Sequence, residues 1–314
     1  MFALLLAPPA ISASTTNYLT GFESTEGYSG GNALAGQQDW IGYVVATNLT
    51  YTNAGSFGNG VTLGGLGGSG QAAYVGLTPL LPAYNSSVEL LQYLNLDPVG
   101  SNQPLVNLSV KVKIIDSTTN RWDYFYWDFF NQAGIILFRI EFDNDFQEIN
   151  HINSTNGFMN IGTFNAAVEY ALGVSMNFAS NRYSITRNGL SLATNLPITV
   201  NGLALNLGSI AAVWQPAVRA KPGDNFMIFD DLQIISSALA PSRPQLRVLT
   251  PGGSGAATLR LTGDDGFRFA VDGSTNLVTW LAVGTNTVSG GIANYTDSAA
   301  TGKTARYYRA RWVP

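Results

Sequence analysis

The sequence predicts an all-β protein built as two antiparallel sandwiches in series, a large one followed by a small one. Three observations predict it. Short apolar or alternating runs recur along the chain. Clusters of Gly, Asn, Asp and Ser separate them. Apolar residues at the helical spacing i, i+3, i+4, i+7 persist over almost no window.

The strands follow in order. Residues 107–115 (NLSVKVKII), 122–130 (WDYFYWDFF), 134–142 (GIILFRIEF) and 168–178 (VEYALGVSMNF) each carry enough apolar and β-branched side chains for a half-buried or buried strand. Residues 182–187 and 190–192 flank Asn188-Gly189, a pair that tolerates positive φ and closes a two-residue hairpin. Residues 225–235 (NFMIFDDLQII) end the first set. Composition then shifts: the stretch after Ser236 carries Pro241, Pro244 and Pro251 and ends in glycines, which marks a linker or the first strand of a new domain. Beyond it, residues 257–261, 267–272, 279–283, 292–296 and 306–311 form a small sandwich. The expected organisation is an N-terminal segment 1–16, a first sandwich 17–238 and a second 239–314.

Composition narrows the function. Charged residues are 11% of the 314, the formal charge is −4, and no basic tract is present, so nucleic acid is a poor partner. No apolar run is long enough to span a bilayer as a helix. Cysteine is absent, which removes disulfides, thiolate nucleophiles and Cys-zinc sites together. A neutral polar surface rich in Gly, Ser, Thr and Asn suits an extracellular or cell-surface setting.

Two stretches carry a family resemblance. GFESTEGYSGG through GQQDW near the start, followed by strands and DNFMIFDDLQI, resembles secreted bacterial proteins with a LamG-like, concanavalin-type jelly roll. The final FRFAVDGSTNLVTWLAVGTNTVSGG, NYTDSAA and RYYRARW resemble the small Ig-like modules that follow such jelly rolls. The resemblance implies fold more than function.

The segment Met1–Ala13 (MFALLLAPPAISA) reads in three ways. It is a signal peptide, though no Lys or Arg precedes its apolar run. It is a strand covered by its own domain. Or it is a donor strand: Phe2, Leu4 and Leu6 point one way when extended and Leu5 the other, so both faces need covering, as insertion into a second copy would provide. The expected function is accordingly a structural subunit that self-associates into a homopolymer through Phe2, Leu4, Leu5 and Leu6. The alternative is a secreted carbohydrate-binding protein. A glycosidase ranks third, and the chain is expected not to be an enzyme.

Candidate chemistry is sparse. Glu141, Asp143 and Asp145 alternate along IEFDNDF and resemble the strand carboxylates of laminarinase-type glycosidases, yet Asp143-Asn144-Asp145 also reads as a hairpin turn, and the turn reading is preferred. His151, the single histidine, lies in an Asn-rich stretch and is expected at a solvated strand end. Glu23 and Asp230, with Asp224 nearby, offer hard oxygens for a structural calcium by the same family resemblance. Trp122, Tyr124 and Tyr126 share one strand face and are candidate glycan contacts. Asn48, Asn85, Asn107, Asn153 and Asn294 head Asn-x-Ser/Thr sequons and are candidate glycosylation sites.

Overall fold

The computed structural model describes residues 2–4, 14–46, 50–67, 70–76, 86–116, 123–153, 157–200, 202–217, 224–251 and 255–313, the first three as backbone only. Expectations placed on Leu5, Leu6, Asn48, Asn85 and Trp122 lie outside the described residues. The described chain is all-β, with two single-turn 3-10 helices.

Contacts divide it into two units. One is Ser14–Ser237; the other is Ala238–Pro314 together with Met1–Ala13. In the larger unit one sheet runs β12 (Gly157–Thr163), β11 (Glu148–Asn153), β10 (Ile136–Asp143), β9 (Asp123–Phe130), β16 (Leu207–Pro216), β7 (Ser87–Leu96), β3 (Ile41–Val45), β4 (Tyr51–Asn53). The second runs β15 (Leu190–Pro197), β14 (Arg182–Arg187), β13 (Glu169–Asn177), β8 (Leu105–Ile115), β17 (Phe226–Ser237), β6 (Ala73–Gly76), β5 (Asn59–Val61), with β2 (Ser14–Thr20) also on β17. Every pairing in both sheets is antiparallel.

Alternation explains the packing. Phe125, Trp127 and Phe129 of β9, Phe138, Ile140 and Phe142 of β10, and Ile210, Ala212 and Trp214 of β16 are buried in one core. Val106, Leu108, Val110, Val112 and Ile114 of β8 and Met227, Phe229, Leu232 and Ile234 of β17 join the same core from the second sheet. Fully burying each such side chain contributes about 1.5–3 kcal/mol. A register slip of one residue on β9 would send Tyr124, Tyr126 and Asp128 inward, which fixes the pairing.

The smaller unit has its own core of Leu246, Leu259, Leu261, Phe269, Val271, Tyr295 and Tyr308 among others. Its sheets run β18 (Gln245–Thr250), β19 (Ala257–Thr262), β22 (Ile292–Asp297), and β23 (Arg306–Val313), β20 (Arg268–Ser274), β21 (Leu281–Thr287). The proline-bearing stretch after Ser236 thus contains the unit's first strand. Backbone of β1 (Phe2–Leu4) adds to the free edge of β23 in parallel, Phe2 opposite Arg306 and Leu4 opposite Tyr308. Within this chain, Phe2–Leu4 covers an edge of the C-terminal unit's sheet.

Candidate functional site

The face of the first sheet that turns away from the core carries an unusual set of side chains. Register puts them in rows. Asn53, Tyr43, Glu89, Val213, Tyr126, Glu141, Asn150 and Asn160 lie side by side across the eight strands. The neighbouring row holds Leu91, Ala211, Asp128, Arg139 and Ile152. Leu91, Tyr126, Phe130, Ala211 and Val213 form a small buried apolar cluster here, with Tyr43, Tyr124 and Ile136 packed on it. Polar groups above that cluster are therefore partly desolvated.

Arg139 and Asp128 make a bidentate ion pair, Nε to Oδ1 at 2.6 Å and Nη2 to Oδ2 at 2.6 Å. The guanidinium also lies 4.0 Å from the centroid of the Tyr126 ring. Burial works against the Arg139 charge, but its bonds to Asp128 and the nearby Tyr126 and Glu141 hold its pKa above the ordinary arginine value. Glu89, two strands from Asp128, is pushed up to about 7, chiefly by burial and then by the Asp128 charge, with Arg139 opposing. Glu141 accepts a hydrogen bond from Asn150 Nδ2 at 3.0 Å and is also raised by burial.

Beside Glu89 opens a cleft of about 260 Å³. Tyr43, Tyr51, Glu89, Leu91, Tyr93 and Phe130 line it, together with Asn131, Gln132 and Gly208. Tyr51 and Tyr93 are 57% and 49% exposed, so their rings are open to a ligand. Tyr43 meets Tyr51 edge-on, centroids 5.9 Å apart.

The residues singled out from sequence are distributed as follows. Tyr124 is half-buried on this face, but Tyr126 is only 3% exposed, because Arg139 covers its ring; it is no stacking platform. Glu141 and Asp143 share the face. Asp145 does not: β10 ends at Asp143, whose Oδ1 accepts the N–H of Asp145 at 3.0 Å and of Phe146 at 3.2 Å, the turn the sequence predicts. His151 is corrected. It is buried in β11 on the core side, its Nδ1 bonded to the Tyr183 hydroxyl, and burial lowers its pKa. Asn153 is also corrected as a surface glycosylation site, being buried, whereas Asn107 and Asn294 are exposed.

Glu23 and Asp230 both lie near Gly21 and bond to the backbone of Gln71 and Leu66. Asp230 Oδ2 accepts from Leu66 N at 3.0 Å, and both Glu23 oxygens accept from Gln71 N at 3.2 Å. Burial raises Asp230 to about 6. Among the described residues, no group of three or more His, Asp or Glu side chains is arranged to hold a metal ion.

The cleft and Glu89 were missed in the sequence. Residues 87–96 (SVELLQYLNL) alternate poorly, and the Asp128 and Arg139 that act on Glu89 are distant in sequence. The tyrosines at 43, 51 and 93 were the available signal, but nothing local shows that they converge.

No family model matches the chain, and neither does any curated protein. Solved structures do. A carbohydrate esterase from Shiga toxin-encoding bacteriophage phi24B aligns over 72% of this chain and 100% of its own, at 14% identity and TM-score 0.47. The alginate lyase A1-II' aligns over 64% of this chain and 96% of its own, at 13% identity and TM-score 0.42. A sialidase aligns over 56% of this chain at 11% identity and TM-score 0.41, and only 16% of its length is spanned. The likeness is one of β-sandwich architecture. All three are named as enzymes, which stands against the expectation that this chain is not one.

Proposed function

We propose that the protein is a secreted carbohydrate-recognising protein that takes a glycan along the outward face of the β12–β4 sheet. One observation carries the reading: a cleft on that face flanked by two exposed tyrosines, with a half-buried carboxylate between strands at its side. Tyrosine rings stack on the apolar faces of sugars, and a carboxylate in reduced solvent forms strong bonds to hydroxyl groups. The fold neighbours named for carbohydrate chemistry agree with this reading without specifying it. Glu89, pushed up to about 7, can give or take a proton near neutral pH, and burial also raises Glu141 beside it on the face, so we extend the reading to glycan processing as well as binding.

The test is affinity electrophoresis and titration calorimetry against soluble polysaccharides. Tyr93→Ala should weaken binding about tenfold, roughly 1.4 kcal/mol, while a surface change on the opposite sheet such as Arg182→Ala should not. A product assay run in parallel with Glu141→Gln reports processing. Equal binding by wild type and Tyr93→Ala would end this assignment of the site.

A second reading, self-association, is favoured by β1 alone. A parallel strand on β23 shows that this edge accepts an apolar N-terminal segment, and a second copy's segment has the same sequence. Sizing of the full chain against one lacking Met1–Ala13 decides it: oligomers that vanish on truncation support the reading, and monomers from both end it.

A further inference from the structure

We infer that the cleft beside Glu89 takes an uncharged, hydroxyl-rich sugar ring, and that the whole face disfavours anionic glycans. This inference rests on the glycan-recognition reading above and names its ligand class.

The argument is a charge census set against geometry. The outward side chains of the eight strands include five carboxylates: Glu89, Asp128, Glu141, Asp143 and Glu148. Against them stands one cation among the described residues of these strands, Arg139. That guanidinium is committed to Asp128 through Nε and Nη2. Asp128 holds it in a two-bond fork, and its flat face lies on Tyr126. A uronate or sialate carboxylate needs an Arg or Lys fork, or a set of free backbone N–H groups, to replace its water. Here it would have to compete with Asp128 for that guanidinium, among four further carboxylates on the face.

A neutral ring meets complementary groups. Tyr51 and Tyr93 present open rings for stacking, and Leu91 and Phe130 supply an apolar floor. Ser209 offers a hydroxyl and Glu89 two oxygens for sugar hydroxyls. Glu89 accepts when ionised and both donates and accepts when protonated, so it serves a hydroxyl in either state and an anion only when protonated. The groups facing it are Asp128 and Arg139 from β9 and β10 and Tyr43 from β3. None supplies a free positive charge. The cleft, at about 260 Å³, is of a size for one or two sugar rings and below the usual range for drug-sized ligands.

The experiment is titration of the full chain at pH 7.5 with two series of matched length: neutral gluco-, xylo- and manno-oligosaccharides, and oligogalacturonates with oligoalginates. The expected result is binding within the neutral series, weakened about tenfold by Glu89→Gln and by Tyr93→Ala, with at least tenfold weaker binding of every uronate. Tighter binding of a uronate than of any neutral sugar overturns the inference and leaves glycan recognition standing. Absence of binding in both series overturns the inference and the recognition reading together. Because the wild-type comparison alone discriminates, failure of a variant to fold does not remove the test.

Discussion

Glu89 holds a carboxyl in a place where its charge is costly, and that cost has a measurable signature. Its ordinary value is 4.5 and its folded value about 7. Below pH 4.5 it is protonated in both states, and the folded protein has the full benefit. Between 4.5 and 7 the unfolded chain sheds its proton while the folded chain retains it, so stability falls as pH rises. Above 7 the loss is complete, at most about 3 kcal/mol at 1.36 kcal/mol per pKa unit. Glu89→Gln removes this dependence. Urea unfolding should therefore show the variant gaining on wild type between pH 4.5 and pH 8.5; a difference that stays constant across that range would refute the assignment. The Asp128–Arg139 pair behaves differently, because removing one partner strands the other. Asp128→Asn should cost about 3–5 kcal/mol, whereas the double change Asp128→Leu with Arg139→Met should cost much less. Equal losses from single and double variants, by chemical unfolding, would show that the pair is not coupled. None of this was legible locally. Glu89 looks like one acid in an apolar run, and its neighbours Asp128 and Arg139 arrive only through β16 and β9.

At the scale of elements, strands with strong patterning were readable and their partners were not. In WDYFYWDFF, period two puts Phe125, Trp127 and Phe129 on one face and Tyr124, Tyr126 and Asp128 on the other, and the first set is the one in the core. Asn188-Gly189 closes the β14–β15 hairpin with φ of 52° and 76°, and Asn188 Oδ1 also accepts the Ala171 N–H at 2.8 Å, which gives Asn an additional role at that position. Residues 207–216 (LGSIAAVWQP) escaped because a central strand buried on both faces shows little alternation. That strand matters most for the site. At Gly208 an added Cβ would stand 2.4 Å from the Asn131 carbonyl oxygen and 2.7 Å from Gln132 Cα, all backbone and unable to yield cheaply. The Asn131–Gln132 turn it abuts is fixed by Asn131 Oδ1, which accepts from Ala133 N at 3.0 Å and Ile135 N at 2.9 Å. Gly208→Ala should destabilise by about 1–3 kcal/mol and weaken glycan binding by displacing the Asn131-Gln132 part of the cleft lining. A variant with lowered Tm and unchanged affinity would separate that part of the lining from recognition.

At the scale of the whole molecule, the two units have separate cores, and the cleft belongs entirely to the larger one. Contacts divide the chain after Ser237, and prolines and glycines follow that point in the sequence. The destination of the N-terminal segment was not readable, because an apolar run records that it must be covered and not by what. Its strand lies with the smaller unit, on β23, so deleting it leaves every pairing of the larger unit in place. Two consequences follow from this separation. Ser14–Ser237, produced alone, should retain glycan affinity within about twofold of the full chain, because every residue lining the cleft lies in it. Ala238–Pro314, produced with or without Met1–Ala13, should show none, yet should gain stability when the segment is present, since β1 satisfies the backbone groups of an otherwise open edge. Calorimetry on the three fragments and titration with the glycan that the full chain binds would measure both. Loss of affinity on removing the smaller unit would mean that recognition depends on both units, and the reading of the cleft as a self-sufficient site would have to be abandoned.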